Sequence, residues 1–251
     1  AGGEEKRAYV RRMFSEIAPR YDLLNHVLSL NVDRRWRRLA VRELAWQARP
    51  DGTYLDLCAG TLDVGALLAR QAGFRGLVLG SDFAEPMLRE GLGKAPAGRL
   101  APVAADALQL PFPDGFAAGA IVAFGVRNLA DLDAGLREMT RVLAPGARLV
   151  ILEFTTPRSA LVRGAYHAYF HHILPAIGRA VSGHPTAYRY LPESVAAFPN
   201  AEALGERLRN AGLVNVRWRT LTLGIAAIHV GERPALTAAD PAQPALRVER
   251  S

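Results

Sequence analysis

The amino-acid sequence predicts an α/β fold: a doubly wound, mostly parallel sheet with helices on both faces. Three observations predict it. Short apolar runs alternate with helical stretches between residues 51 and 155. Small-residue or acidic turns follow these runs, as the open end of such a sheet requires. Half of the 251 residues are apolar and 22% are charged, which is enough to build a core and too little charge for a disordered chain.

Taken in order, residues 1–50 read as two or three helices. Met13, Phe14, Ile17 and Tyr21 recur at spacings of three and four, which makes one apolar face. Pro19 and the Pro50-Asp51-Gly52 turn punctuate this segment. The expected strands are Thr53–Leu57, Leu77–Ser81, Ala101–Ala105, Ala120–Phe124 and Arg148–Phe154. Helices are expected near Asp63–Gln71, Glu85–Lys94 and Asp131–Leu143. Strands separated by helices pair in parallel, because the crossover returns the chain to the same edge. Residues 156–200, rich in Tyr, His and Pro, read as inserted helices. A helix at Ala201–Ala211 and two strands, Val214–Thr220 and Ile225–Val230, complete the fold; their short connection makes them an antiparallel pair at the sheet edge. The division expected is an N-terminal helical segment over residues 1–50 that covers the site, a main domain over 51–231, and a flexible tail over 232–251.

The formal charge of +7 and a pI near 10.1 favour an anionic partner. Apart from Lys6 and Lys94, arginine carries the positive charge, and Arg34, Arg35, Arg37, Arg38 and Arg42 gather around Trp36. A solvated helix face and a membrane-docking patch both fit this cluster. No RNA- or DNA-reading signature accompanies it, so no nucleic-acid partner is expected. One cysteine excludes a disulfide framework and a multi-cysteine metal site, and no metal is expected. No apolar stretch approaches the roughly 18 residues of a membrane span. The charged start lacks a signal-peptide core, which predicts a cytoplasmic protein.

The candidate site lies at the strand ends. Tyr54-Leu-Asp-Leu-Cys-Ala-Gly-Thr-Leu-Asp63 reads as strand, small-residue turn and helix start. Gly60 lets a ligand approach the backbone. Asp82 ends the second strand, where an acid accepts the two hydroxyls of a ribose. Asp106, followed by the small Ala107, ends the third, where an acid reads an adenine amino group. Asp56 in the first loop suits a positive amino group. A dinucleotide fingerprint needs more glycine and a pyrophosphate. A nucleoside and an amino acid without a phosphate clamp point to S-adenosylmethionine.

Beyond these acids, Met13-Phe-Ser-Glu-Ile-Ala-Pro-Arg-Tyr-Asp-Leu-Leu-Asn25, Ala107-Leu-Gln-Leu-Pro-Phe-Pro-Asp114, Ala123-Phe-Gly-Val-Arg-Asn128, Leu152-Glu-Phe154 and Tyr188-Arg-Tyr-Leu-Pro-Glu-Ser194 stand out. With them the chain resembles the menaquinone/ubiquinone biosynthesis C-methyltransferases from about residue 10 to 231, and its Gly80-Ser-Asp-Phe83 phrasing resembles the menaquinone branch. The resemblance implies a class I, Rossmann-like, S-adenosylmethionine-dependent methyltransferase with a seven-stranded sheet. It implies cofactor contacts at Thr61, Asp82, Phe83, Asp106, Ala107 and Ala123, beside Asp56 and Gly60. The substrate implied is a prenylated quinol, most simply demethylmenaquinol. Arg127 and Asn128, with Asp106 and His172 as proton carriers, are the catalytic candidates, and Tyr21, Arg127, Tyr188 and Tyr190 line the quinol pocket. Tyr166, Tyr169, Phe170, Ile173 and Leu174 would wall the isoprenoid tail. The enzyme is then expected at the inner face of the cytoplasmic membrane, with a homodimer compatible. Leu62 departs from the usual glycine, Ala123 from serine, and Gly183-His-Pro-Thr-Ala187 from an acidic stretch. Those departures keep two alternatives open: another phenolic acceptor, or a non-catalytic assembly subunit.

Overall fold

The computed structural model describes residues 3–20, 31–157, 159–168 and 185–235. Tyr21, His172, Tyr169, Phe170, Ile173 and Leu174 lie outside the described residues, as do the side chains of Tyr166 and Tyr188. Within the described residues the chain forms a seven-stranded sheet. The strands are β1 (Thr53–Leu57), β2 (Leu77–Asp82), β3 (Leu100–Ala104), β4 (Ala117–Ala123), β5 (Leu143–Phe154), β6 (Val214–Leu221) and β7 (Ala226–Glu232). Their order is β3-β2-β1-β4-β5-β7-β6. The first five run parallel, and β7 is antiparallel to both neighbours, with Phe154 opposite Ala226 and Arg148 opposite Glu232. Strand order reverses between β1 and β4, so the crevice at their carboxyl ends is the natural ligand site.

Eight α-helices are described: α1 (Gly3–Ile17), α2 (Val32–Glu43), α3 (Asp63–Ala69), α4 (Glu85–Glu90), α5 (Leu132–Val142), α6 (Ala160–Ala168), α7 (Pro185–Ala196) and α8 (Ala201–Asn210). Their inner faces follow the 3.6-residue period. Val10, Met13 and Ile17 are buried on α1, and Leu136, Met139 and Val142 on α5. Side chains start two of them: Asp131 accepts from the Ala134 amide at 2.9 Å and Asn200 from the Ala203 amide at 2.9 Å. Two helices stop earlier than the periodicity predicts. α3 ends at Ala69, and α4 ends at Glu90 because Gly91 packs on the Thr61 carbonyl and Gly93 turns to φ +81°.

Buried residues fall on both sheet faces. One cluster joins Leu55, Leu57, Val122 and Ile151 to α5 and α8; the other joins Tyr54, Val78, Ile121 and Val150 to α2 and α3. Trp36 of α2 packs edge-on to Phe154 and donates its indole hydrogen to Thr222 Oγ1 at 3.0 Å. The arginine cluster is smaller than the sequence suggests. Arg37 turns inward, pairs with Asp33 at 3.2 Å and lies over Phe124, while Arg34, Arg35, Arg38 and Arg42 are exposed.

His229 of β7 is buried, stacks on Trp218 and meets the Ala201 carbonyl through Nε2 at 2.8 Å. Burial lowers its pKa to about 4. An unfolded chain titrates this group near 6.5, so between pH 6.5 and 4 the unfolded state holds more protons. Stability therefore falls as pH drops through that window, by about 2 kcal/mol from pH 7 to 5. Urea midpoints of wild type and His229→Gln at both pH values check this: the variant should lose that much less on acidification.

Candidate active site

A cleft opens at the carboxyl ends of β1, β2, β3 and β4, where an open α/β sheet binds its ligands. Gly60, Asp82, Phe83, Asp106, Ala107 and Asn128 line it. The sequence singled out all six, and the fold brings them together from four separate loops. Helix α1 adds Arg7 and Phe14 to the wall.

The first loop is strained on purpose. Cys58, Gly60 and Leu62 all take positive φ, at 51°, 53° and 63°. Only Gly60 does so without steric cost. The Asp82 carboxylate holds the conformation: one oxygen accepts from the Gly60 amide at 2.9 Å, the other from the Ala84 amide at 2.8 Å. Burial pushes the Asp82 carboxyl above its ordinary range, and the amide bonds oppose that shift. Across the crevice, Phe124 also has positive φ, and Gly125 lies so close to Cys58 that a Cβ there would strike it.

Leu62 does not enter the cleft. Its side chain fills a slot between Gly80 and Gly91, where a Cβ on Gly91 would come 2.6 Å from the Thr61 carbonyl and 2.7 Å from Leu62 Cγ. The left-handed backbone turns the leucine away from the ligand face.

Four sequence candidates stand behind the wall. Asp56 is buried, and its Oδ2 accepts from the Gly65 amide at 2.7 Å, so its carboxylate turns into α3 instead of facing a ligand's amino group. Burial raises its pKa to about 8. Thr61 and Ala123 are not cleft-lining. Arg127 is also set back. Its side chain is 7% exposed, and Nη1 donates to Glu153 Oε1 at 2.7 Å and to the Phe124 carbonyl.

Asp106 does reach the cleft, with Oδ1 accepting from the Leu108 amide at 2.8 Å. Its Oδ2 pairs with Arg7 Nε at 2.7 Å. Arg7 was not legible as a site residue, because nothing local ties residue 7 to residue 106. Asn128 Oδ1 accepts from the Tyr190 hydroxyl at 3.1 Å, which joins α7 to the loop after β4. Tyr9 of α1 packs on the Tyr190 ring, and Lys6 donates to the carbonyls of Arg127 and Leu129. Glu153, the partner of Arg127, was also missed as a site residue. A lone carboxylate at the end of an apolar strand was its signal.

Two backbone-anchored acids and an open glycine loop suit a nucleoside carrying an amino acid. Comparison with known proteins agrees. The model of the ubiE/COQ5 methyltransferase family matches residues 3–233.

The chain belongs to the ubiE/COQ5 methyltransferase family.

It is an S-adenosylmethionine-dependent C-methyltransferase. The demethylmenaquinone methyltransferase of Thermus thermophilus is 51% identical over 88% of this chain and 100% of its own. That of Deinococcus radiodurans is 47% identical over 92% and 95%. The ubiquinone/menaquinone biosynthesis C-methyltransferase of Geobacter sulfurreducens is 45% identical over 91% and 90%. Among solved structures, the [4+2]-cyclase SpnF shares the fold with a TM-score of 0.65 at 16% identity, over 90% of this chain and 95% of that one. Phosphoethanolamine N-methyltransferase 2 of Haemonchus contortus, solved with S-adenosylhomocysteine, gives 0.56 at 15% identity over 77% and 52%. At these identities the likeness concerns the fold alone.

The slot occupied by Leu62 yields a test. Leu62→Gly relieves about 1–2 kcal/mol of left-handed strain and gives up about 3–5 kcal/mol of packing. A net loss of about 1–4 kcal/mol is expected by denaturant titration, with S-adenosylmethionine affinity within about twofold of wild type by calorimetry.

Proposed function

We propose that this enzyme C-methylates a prenylated quinol, converting demethylmenaquinol to menaquinol. The observation that carries the reading is the cleft itself, which the nucleoside-type acids Asp82 and Asp106 line together with Asn128, the hydrogen-bond partner of Tyr190. Relatives named for the same reaction, 47–51% identical along nearly their whole length, support it.

When bound, S-adenosylmethionine supplies an electrophilic methyl group. Gly60, Asp82, Phe83, Asp106 and Ala107 would hold it. Asp82 keeps lone pairs for ribose hydroxyls after its two amide bonds are made. Asp106 would trade Arg7 for the adenine amino group. The substrate hydroxyl would sit against Asn128, whose side chain the Tyr190 hydroxyl fixes by donating to Oδ1. The Asn128 amide donates to the oxygen on which charge develops. Such a fixed pair aims the adjacent ring carbon at the methyl, and positioning supplies much of the rate. Phe14, Phe83, Met87, Phe124 and Leu129 keep the site dry.

A lipid-tailed substrate places the enzyme at a membrane surface. No helix among the described residues is long and apolar enough to cross a membrane. Peripheral contact fits better. Leu161 and Leu223 are 85% and 77% exposed and follow β5 and β6 at the open end of the sheet. Trp36 ties the β6–β7 turn to α2, whose Arg34, Arg35 and Arg38 are exposed. Apolar tips beside arginines suit an anionic lipid face.

The reading is tested with purified protein, S-adenosylmethionine and a short-chain demethylmenaquinol under reducing conditions. A quinone heavier by one methylene is expected in the mass spectrum. Cofactor binding without that product would overturn the substrate assignment. Tyr190→Phe should cut kcat about 10–100-fold with little change in cofactor affinity. Membrane contact is read by co-sedimentation with anionic vesicles: binding should weaken with salt and fall further in Arg34→Glu/Arg38→Glu.

A further inference from the structure

We propose that Glu153 is a positioning residue for methyl transfer, fixing through Arg127 the loop that presents Asn128, the partner of Tyr190, to the substrate. The inference rests on the quinol reading above and adds a residue to it. Glu153 is the penultimate residue of β5 and is 1% exposed. Its carboxylate accepts three N–H groups: Arg127 Nη1 at 2.7 Å, the Phe154 amide at 2.9 Å and the Arg127 amide at 3.3 Å. Two of these belong to the residue that precedes Asn128. The pair therefore clamps the turn after β4 onto β5, from both its backbone and its side chain.

The clamp extends to the cleft by contact. Arg127 Nη1 also donates to the Phe124 carbonyl, and Asn128 Nδ2 approaches the same oxygen at 3.5 Å. Asn128 Oδ1 then takes the Tyr190 hydroxyl. The Arg127 guanidinium lies over the Phe154 ring at 5.5 Å, so it cannot swing toward solvent without leaving both partners. Burial raises the Glu153 carboxyl, and the Arg127 charge beside it opposes that shift.

A buried ion pair is a weak source of fold stability. Removing a carboxylate and a guanidinium from water costs more than their attraction usually returns, and apolar pairs of the same volume often serve the fold as well. What the pair does provide is direction: Arg127 Nη1 bridges the Glu153 carboxylate and the Phe124 carbonyl while the other carboxylate oxygen takes the Arg127 amide, which an apolar contact does not do.

Glu153→Gln tests this, since the amide keeps an acceptor and removes the charge. The wild-type reaction is run first, because absence of methylated quinol there would sink the quinol reading itself, and this inference with it. With wild-type product in hand, Glu153→Gln should lower kcat at least tenfold while S-adenosylmethionine binds within twofold. Glu153→Asp, which keeps the charge, should recover part of the loss. Glu153→Gln/Arg127→Met removes both charges, and its melting temperature should return toward wild type while kcat stays low. An unchanged kcat in Glu153→Gln overturns the proposal. So does a double variant that regains activity together with stability, since the pair would then be structural only.

Discussion

Asp82 holds the amides of Gly60 and Ala84, Asp56 that of Gly65, Asp106 that of Leu108, and Glu153 those of Arg127 and Phe154. Each carboxylate sits within two residues of the end of a strand, and each holds backbone amides of the segments at the open end of the sheet. The open end of a parallel sheet otherwise exposes loops with unpaired amides. Here the acids satisfy them and set the loop paths, and the cleft is the space those paths leave. The cost shows in the carboxyls of Asp56, Asp82 and Glu153, each raised by burial. Only the acids that still face the cleft, Asp82 and Asp106, are left to serve a ligand.

Strain gathers at the same place. Cys58, Leu62 and Phe124 hold a backbone conformation that L-residues avoid. Each is locked by its surroundings: Cys58 by the absent side chain of Gly125, Leu62 by Gly80 and Gly91, and Phe124 by Trp36 and Phe154. A leucine can thus replace a glycine at a turn because two other glycines make room for it. The result bears directly on activity, since one of the departures that argued for a degenerate enzyme, Leu62, points its side chain away from the cleft.

The sheet was legible because alternation of short apolar runs with helices admits few topologies. Strand positions came through to within a few residues, and the antiparallel edge pair followed from its short connection. Helix ends were harder. Gly91 stops α4 through contact with Thr61, thirty positions earlier, and periodicity has no access to that. The cleft acids were readable from their place at strand ends. Arg7 and Glu153 were not, since each acts through a residue distant in sequence. Arg127 stood out in the chain as a catalytic group, yet only packing reveals that its guanidinium turns inward toward a strand end. The motif marked the right loop, and the fold decides which of its atoms face the ligand.

The direction of β7 has a practical side. Because it runs against β5, the chain passes Phe154 at Ala226 and reaches Arg148 at Glu232, then anchors Arg233 to the Ala147 carbonyl. It leaves the sheet at the end opposite the cleft, whereas Lys6 and Arg7 lie against the cleft loops. A handle for immobilisation attached after residue 233 would hang clear of substrate traffic. The same handle at the amino end would sit in the doorway.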